Sequence, residues 1–167
     1  YERTGQKRAE LAGGENRESV PLVQISPHLV DAVLAGEARD FFRHPGVDVL
    51  AVASATLADV RGQHLQGGST ITQQYVKNTY VGDERTLVRK LKEAVLAVKL
   101  ERKLDKSEIL ERYLNTVYFG RGAYGVQAAS RAYYGIDVGQ LDTRQAAYLA
   151  GLIRAPAAAD VSRHPRE

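Results

Sequence analysis

The stretch Gly67-Gly68-Ser69-Thr70-Ile71-Thr72-Gln73-Gln74-Tyr75-Val76-Lys77-Asn78 holds two glycines, three Ser/Thr hydroxyls, two adjacent amides and a lysine within twelve positions. That is too many small polar groups for a segment that only fills a core. A glycine pair lets the backbone approach a ligand closely. Ser69, Thr70 or Thr72 can cap a helix starting there, with its first N–H groups facing an anion. A plain loop and N-cap would use the same residues. Upstream lies a second set, Glu37-Ala38-Arg39-Asp40-Phe41-Phe42-Arg43-His44-Pro45-Gly46, closed by a Pro-Gly turn. An acid beside two phenylalanines can sit in a partly apolar pocket with its pKa raised, as a general base near neutral pH requires. The alternative is that Glu37 or Asp40 pairs with Arg39 or Arg43 at a helix end. His44 suits hydrogen bonding better than catalysis. Arg121, between Gly120 and Gly122, is placed to meet an anion or to make a structural salt bridge.

Composition narrows the classes that can hold such groups. With 167 residues the chain is expected to form one domain with a real core. Its 44% hydrophobic and 26% charged residues are globular values, which argues against disorder or a fibrous repeat. The net charge is +3 and the pI about 9.2. From Lys77 to Arg121 eleven Lys/Arg face seven Asp/Glu: either a solvated helix face of i,i+4 pairs or a surface for an anionic ligand. The absence of cysteine excludes thiol chemistry, cysteine metal sites and disulfides. Four histidines without HExxH spacing argue against a transition-metal site. No apolar run reaches the roughly 18 residues of a membrane span, and no signal-peptide pattern opens the chain. Tyr1 and Arg166-Glu167 read as cut points, and if the protein is membrane-attached its anchor is expected outside the sequence.

The elements that position these groups are read as mainly helical. Residues 1–26 are expected to be a strand or hairpin and linker, with alternation at Ser19-Val20-Pro21-Leu22-Val23-Gln24-Ile25. Ser26-Pro27 supplies an N-cap and first-turn proline for a helix to about Arg39, its apolar face Leu29, Val30, Val33 and Leu34. Val47–Val60 is an apolar, alanine-rich segment, a core helix or a surface lying over lipid. After a loop at Val81–Arg85, a helix from about Thr86 to Leu104 carries the stripe Leu87, Val88, Leu91, Ala94, Val95, Val98. On it Arg89 and Glu93 share a face. Lys106–Asn115 is a further helix with Ile109, Leu110, Tyr113 and Leu114 inward. A Gly-interrupted turn leads into a helix ending near Tyr134, and Asp142 with Gln145 makes a capping box for a last helix.

Five collinear segments resemble the peptidoglycan glycosyltransferases, glycosyltransferase family 51, of class A penicillin-binding proteins and monofunctional transglycosylases. They are Glu37–Gly46, Gly67–Asn78, Arg89–Glu93, Lys106–Asn115 and Arg121–Ser130. The resemblance runs from about Val20 to Pro156. It implies a mainly α, lysozyme-like fold: a large helical lobe and a smaller jaw lobe with a cleft between, plus a short β element near the N-terminus. The glycosyltransferase domain would occupy 27–167, cut short at its C-terminal end. One departure is Ala38, where the family usually has Asp; the neighbouring carboxylate that would tune the base is missing, and Asp40 stands two residues on.

The resemblance implies polymerisation of lipid II onto a growing lipid-linked glycan. Glu37 would be the general base and Glu93 a second essential carboxylate that orients a basic group or the substrate. Lys77 and Arg85 would clamp the leaving diphosphate, while Ser69, Gln73 and Gln74 bind sugar or phosphate oxygens. Asn78, Arg89, His44 and Arg121 complete the substrate-binding set. No metal ligands are assigned, although a diphosphate gives magnesium or manganese a place to act. The implied setting is the extracytoplasmic face of the bacterial membrane, with a fused transpeptidase domain as a further partner and no nucleic acid. Two rival readings remain, a lysozyme-like hydrolase and a non-catalytic basic module binding anionic lipid or nucleic acid.

Overall fold

The computed structural model describes residues 16–37, 41–42, 71–80 and 87–153. The apolar segment Val47–Val60, the Val81–Arg85 loop and the chain beyond Ile153 lie outside the described residues. Six helices are described: α1 (Pro27–Glu37), α2 (Ile71–Tyr80), α3 (Leu87–Lys103), α4 (Lys106–Leu114), α5 (Val126–Tyr134) and α6 (Thr143–Leu152). Two short strands, β1 (Asn16–Arg17) and β2 (Ala123–Tyr124), pair in parallel. The domain is mainly helical, as its periodicities predict.

Three helices bury the residues expected of them. On α4, Ile109, Leu110, Tyr113 and Leu114 are all fully buried; Leu29 and Val33 of α1 and Ala146, Leu149 and Leu152 of α6 join them in one core. α1 packs on α6, and α2 packs on both α3 and α4. The Asp142–Gln145 box is present: Gln145 N–H donates to Asp142 Oδ1 at 2.8 Å and Asp142 N–H to Gln145 Oε1 at 3.0 Å. At the start of α1 the Ser26 hydroxyl donates to the Leu141 carbonyl at 2.9 Å, tying the helix to the segment before α6.

Two expectations are corrected. The short strand expected within residues 1–26 falls at Asn16–Arg17 and not in Ser19–Ile25, which carries a 3-10 turn at Leu22–Gln24. Side chains of α4 and of its C-cap Asn115 take the backbone groups that a strand partner would use. Val20 exchanges two bonds with the Asn115 amide, at 2.9 and 2.8 Å, and Leu22 N–H donates to Glu111 Oε2 at 2.8 Å. The stripe on α3 is corrected only in part: Ala94 is buried as expected, but Val88 and Val95 are 63% and 44% exposed. The covered line includes Ala97 and the charged Arg89, Glu93 and Glu101 beside Ala94. Small alanines let α3 approach its neighbours closely, and the charges beside them are inward because they have partners there.

Candidate active site

Glu37 is the last residue of α1 and is half-buried. Its carboxylate is gripped by α2: Gln74 Nε2 donates to Glu37 Oε2 at 2.8 Å. The other end of that amide is taken by α4, where the Tyr113 hydroxyl donates to Gln74 Oε1 at 2.8 Å. Three helices therefore meet at one hydrogen-bonded line. Burial, and then the Glu37 carboxylate, push the Tyr113 phenol well above its ordinary range, so it stays protonated.

α2 can present this polar line because its two sides differ. Ile71, Thr72, Tyr75 and Val76 are buried, Gln73 and Gln74 are intermediate, and Lys77 and Asn78 are exposed. Helical spacing puts Lys77 one turn beyond both Gln73 and Gln74, and Asn78 one turn beyond Gln74. Thr72, one of three expected cap residues, is instead inside the helix, and its hydroxyl donates to Glu101 Oε1 at 2.6 Å. Ser69, Thr70, Arg85 and His44, like Ala38 and Asp40, lie outside the described residues.

The second acid is separately held. Glu93 Oε1 lies 3.4 Å from Arg89 Nε, one turn back on α3, with 14% and 15% of the two side chains exposed. A pair so desolvated holds its geometry because separating the charges there is costly. Arg121 belongs to a further place. It has φ 52° between Gly120 at 91° and Gly122 at 71°, and its guanidinium stacks 4.3 Å from the Tyr133 ring centre. Among the described residues no three His, Asp or Glu side chains come together to hold a metal ion.

Side-chain type alone did not point to two contributors. Tyr113 reads as one more apolar residue of α4, yet a buried phenol needs a partner for its hydroxyl, and that requirement was the available signal. Glu101 falls in phase with Ala94 and Ala97, and a carboxylate at a core-facing position is the corresponding signal.

A family model described as Transglycosylase matches residues 4–167. The chain belongs to the transglycosylase family. This makes it a glycosyltransferase domain, and favours neither the hydrolase nor the non-catalytic module. The transglycosylase domain is 47% identical over 154 residues to penicillin-binding protein 1A of Aquifex aeolicus, an alignment covering 92% of this chain and 21% of that protein. It is 45% identical over 157 residues to penicillin-binding protein 2D of Bacillus subtilis, covering 93% and 23%. With penicillin-binding protein 1A of Escherichia coli it shares 46% over 145 residues, covering 86% and 17%. The chain thus spans about a fifth of the length of the curated relatives it matches.

Proposed function

We propose that this domain polymerises lipid II into β-1,4 glycan strands, inverting the anomeric carbon and releasing polyprenyl diphosphate. An acceptor sugar hydroxyl bonds the donor's anomeric carbon and passes its proton to Glu37. The bond from that carbon to the diphosphate breaks, and its electron pair leaves with the phosphate oxygen. A diphosphate is already a stable anion, so it needs charge compensation more than the protonation a glycosidase gives its leaving alcohol. Lys77 and Arg85 supply that compensation.

Ser69, Gln73 and Asn78 bind sugar or phosphate oxygens, and His44 and Arg121 contact the substrate farther out. Glu93 orients Arg89 toward the substrate instead of acting as an acid, a role supported by their close pairing. The observation that carries the reading is the grip of Gln74 on Glu37 with Lys77 one turn along the same helix. A carboxylate held in place and a lysine on the adjoining helix support a proton acceptor and a cationic clamp in one site.

The site would lie in the cleft between a large lobe and a smaller jaw lobe, within a domain taking 27–167. The setting proposed is the outer face of the cytoplasmic membrane beside a fused transpeptidase domain. Among the described residues no helix is long and apolar enough to cross a membrane. Magnesium or manganese would find its ligands on the diphosphate, not in a cluster of the described residues. The test uses labelled lipid II. The parent is expected to yield polymer, and Glu37→Gln to lose about 10²–10⁴-fold in polymerisation with its fold unchanged. Polymer from Glu37→Gln at the parent rate would remove Glu37 as base, and soluble fragments from the parent would make the domain a hydrolase.

A further inference from the structure

We propose that Tyr113 is a positioning residue for the general base, acting through Gln74. The inference rests on the assignment of Glu37 as that base. It also moves Gln74 from the substrate to the carboxylate.

The direction of the hydrogen bonds follows from chemistry. An ionised carboxylate only accepts, so Gln74 must turn its NH2 to Glu37 Oε2 at 2.8 Å. The amide oxygen then faces the other way and needs a donor. Tyr113 is that donor at 2.8 Å. A glutamine amide can otherwise rotate half a turn and set its oxygen against the carboxylate, which would repel it. The buried phenol opposes this rotamer, because the flip would take away the amide oxygen that accepts its proton. Tyr113 has no accessible surface and stands on the best-packed face of α4, so the hydroxyl position is fixed by the core. Its proton is also retained far into the alkaline range, because burial and the nearby carboxylate both disfavour the phenolate.

The consequence for turnover is specific. A donor aimed at the charged carboxylate stabilises the ionised base and fixes the direction from which it receives a proton. Substrate affinity does not enter. Tyr113→Phe keeps the ring and removes only the hydroxyl. Its expected effect is a fall in kcat on the order of tenfold, the scale of one intramolecular hydrogen bond, with KM within about twofold of the parent. The acid limb of the pH–kcat profile should move to higher pH. Carbon-13 NMR titration of the Glu37 carboxyl reads the same change without turnover, as an upward shift of its titration. Lys77 on α2, Lys106 and Arg112 on α4 and Arg144 on α6 are common to both proteins, so the difference between the titrations reports the phenol alone.

An unmoved Glu37 titration overturns the proposal, as does a rise in KM at constant kcat, which would mean that these groups bind substrate. Should Tyr113→Phe fail to fold, Gln74→Met removes both bonds at similar volume and must show the same shift. The two readings fail separately. Active Glu37→Gln enzyme would sink the base assignment whatever the titration does, and an unmoved titration with inactive Glu37→Gln would sink only the relay.

Discussion

At the scale of single residues, the strongest structural demand outside the Glu37–Gln74–Tyr113 line falls on Glu101. Its side chain is 4% exposed; Oε1 accepts from Thr72 Oγ1 at 2.6 Å and Oε2 meets Lys106 Nζ at 3.0 Å, joining α3 to α2 and α4. Lys106 also lies 4.7 Å from the Phe41 ring centre, so this carboxylate steadies the lysine that covers the aromatic pair after α1. Glu101→Ala would strand a buried hydroxyl and a mostly covered ammonium, costing about 3 kcal/mol. The melting temperature should fall by about 10 °C, and Glu101→Gln, which keeps one acceptor oxygen, by about half that. A loss below about 1 kcal/mol for Glu101→Ala would show that Lys106 and Thr72 find water instead. Glu37, Lys77 and Gln74 are candidates on sequence through the resemblance of the segments that hold them, but the contact between Gln74 and Glu37 was not legible there. Which of two acceptors an amide meets depends on a tyrosine on a distant helix, and one-dimensional spacing carries no such information.

At the scale of elements, the turn between α4 and α5 is where backbone geometry decides the packing. Gly125 has φ 86° and ψ 157°, a region essentially restricted to glycine, and a Cβ there would lie 2.6 Å from the Asn115 carbonyl oxygen. That carbonyl sits at the C-terminal end of α4, on the residue whose amide straps Val20, so it has little room to move. Gly125→Ala is expected to cost about 3–5 kcal/mol from strain and overlap together. Gly151 is the contrast: it lies inside α6 with nothing within 4 Å of an added Cβ. Gly151→Ala should stabilise by about 0.5–1 kcal/mol. Thermal melts of the two variants would check both signs, and a tolerated Gly125→Ala would mean that α4 and α5 can separate. Among the described residues helix existence was readable because α1, α4 and α6 have apolar faces at helical spacing. The facing of α3 was readable only in part, because its inward line includes Arg89, Glu93 and Glu101, whose burial depends on partners one turn away or on other helices.

At the scale of the whole molecule, charge and burial set a pH window for stability. Tyr113, Tyr75 and Tyr134 are all raised above the ordinary phenol value, each chiefly by burial; the Tyr80 hydroxyl adds to this for Tyr75, and Tyr148 and Asp142 for Tyr134. The native state thus favours the protonated phenols, and the unfolded chain ionises first. Their contribution is fully present below about pH 10 and is lost as pH rises through the folded values. The opposite sign holds for Asp137, which is drawn below the ordinary carboxylate value by its hydrogen bonds from Arg131 and then Gln127. Its contribution is present above about pH 3.9 and fades as pH falls through the folded value. The contribution of these four groups should therefore hold steady between these limits and decline beyond about pH 10, with Tyr113 adding at most about 1.4 kcal/mol per pH unit to the alkaline slope. Denaturant melts across pH check this. Tyr113→Phe should decline less steeply above pH 10, and Arg131→Gln should lose less on acidification below pH 4. A Tyr113→Phe curve parallel to the parent's would place the alkaline loss in other groups. It would also mean that this phenol is not held protonated beside Glu37.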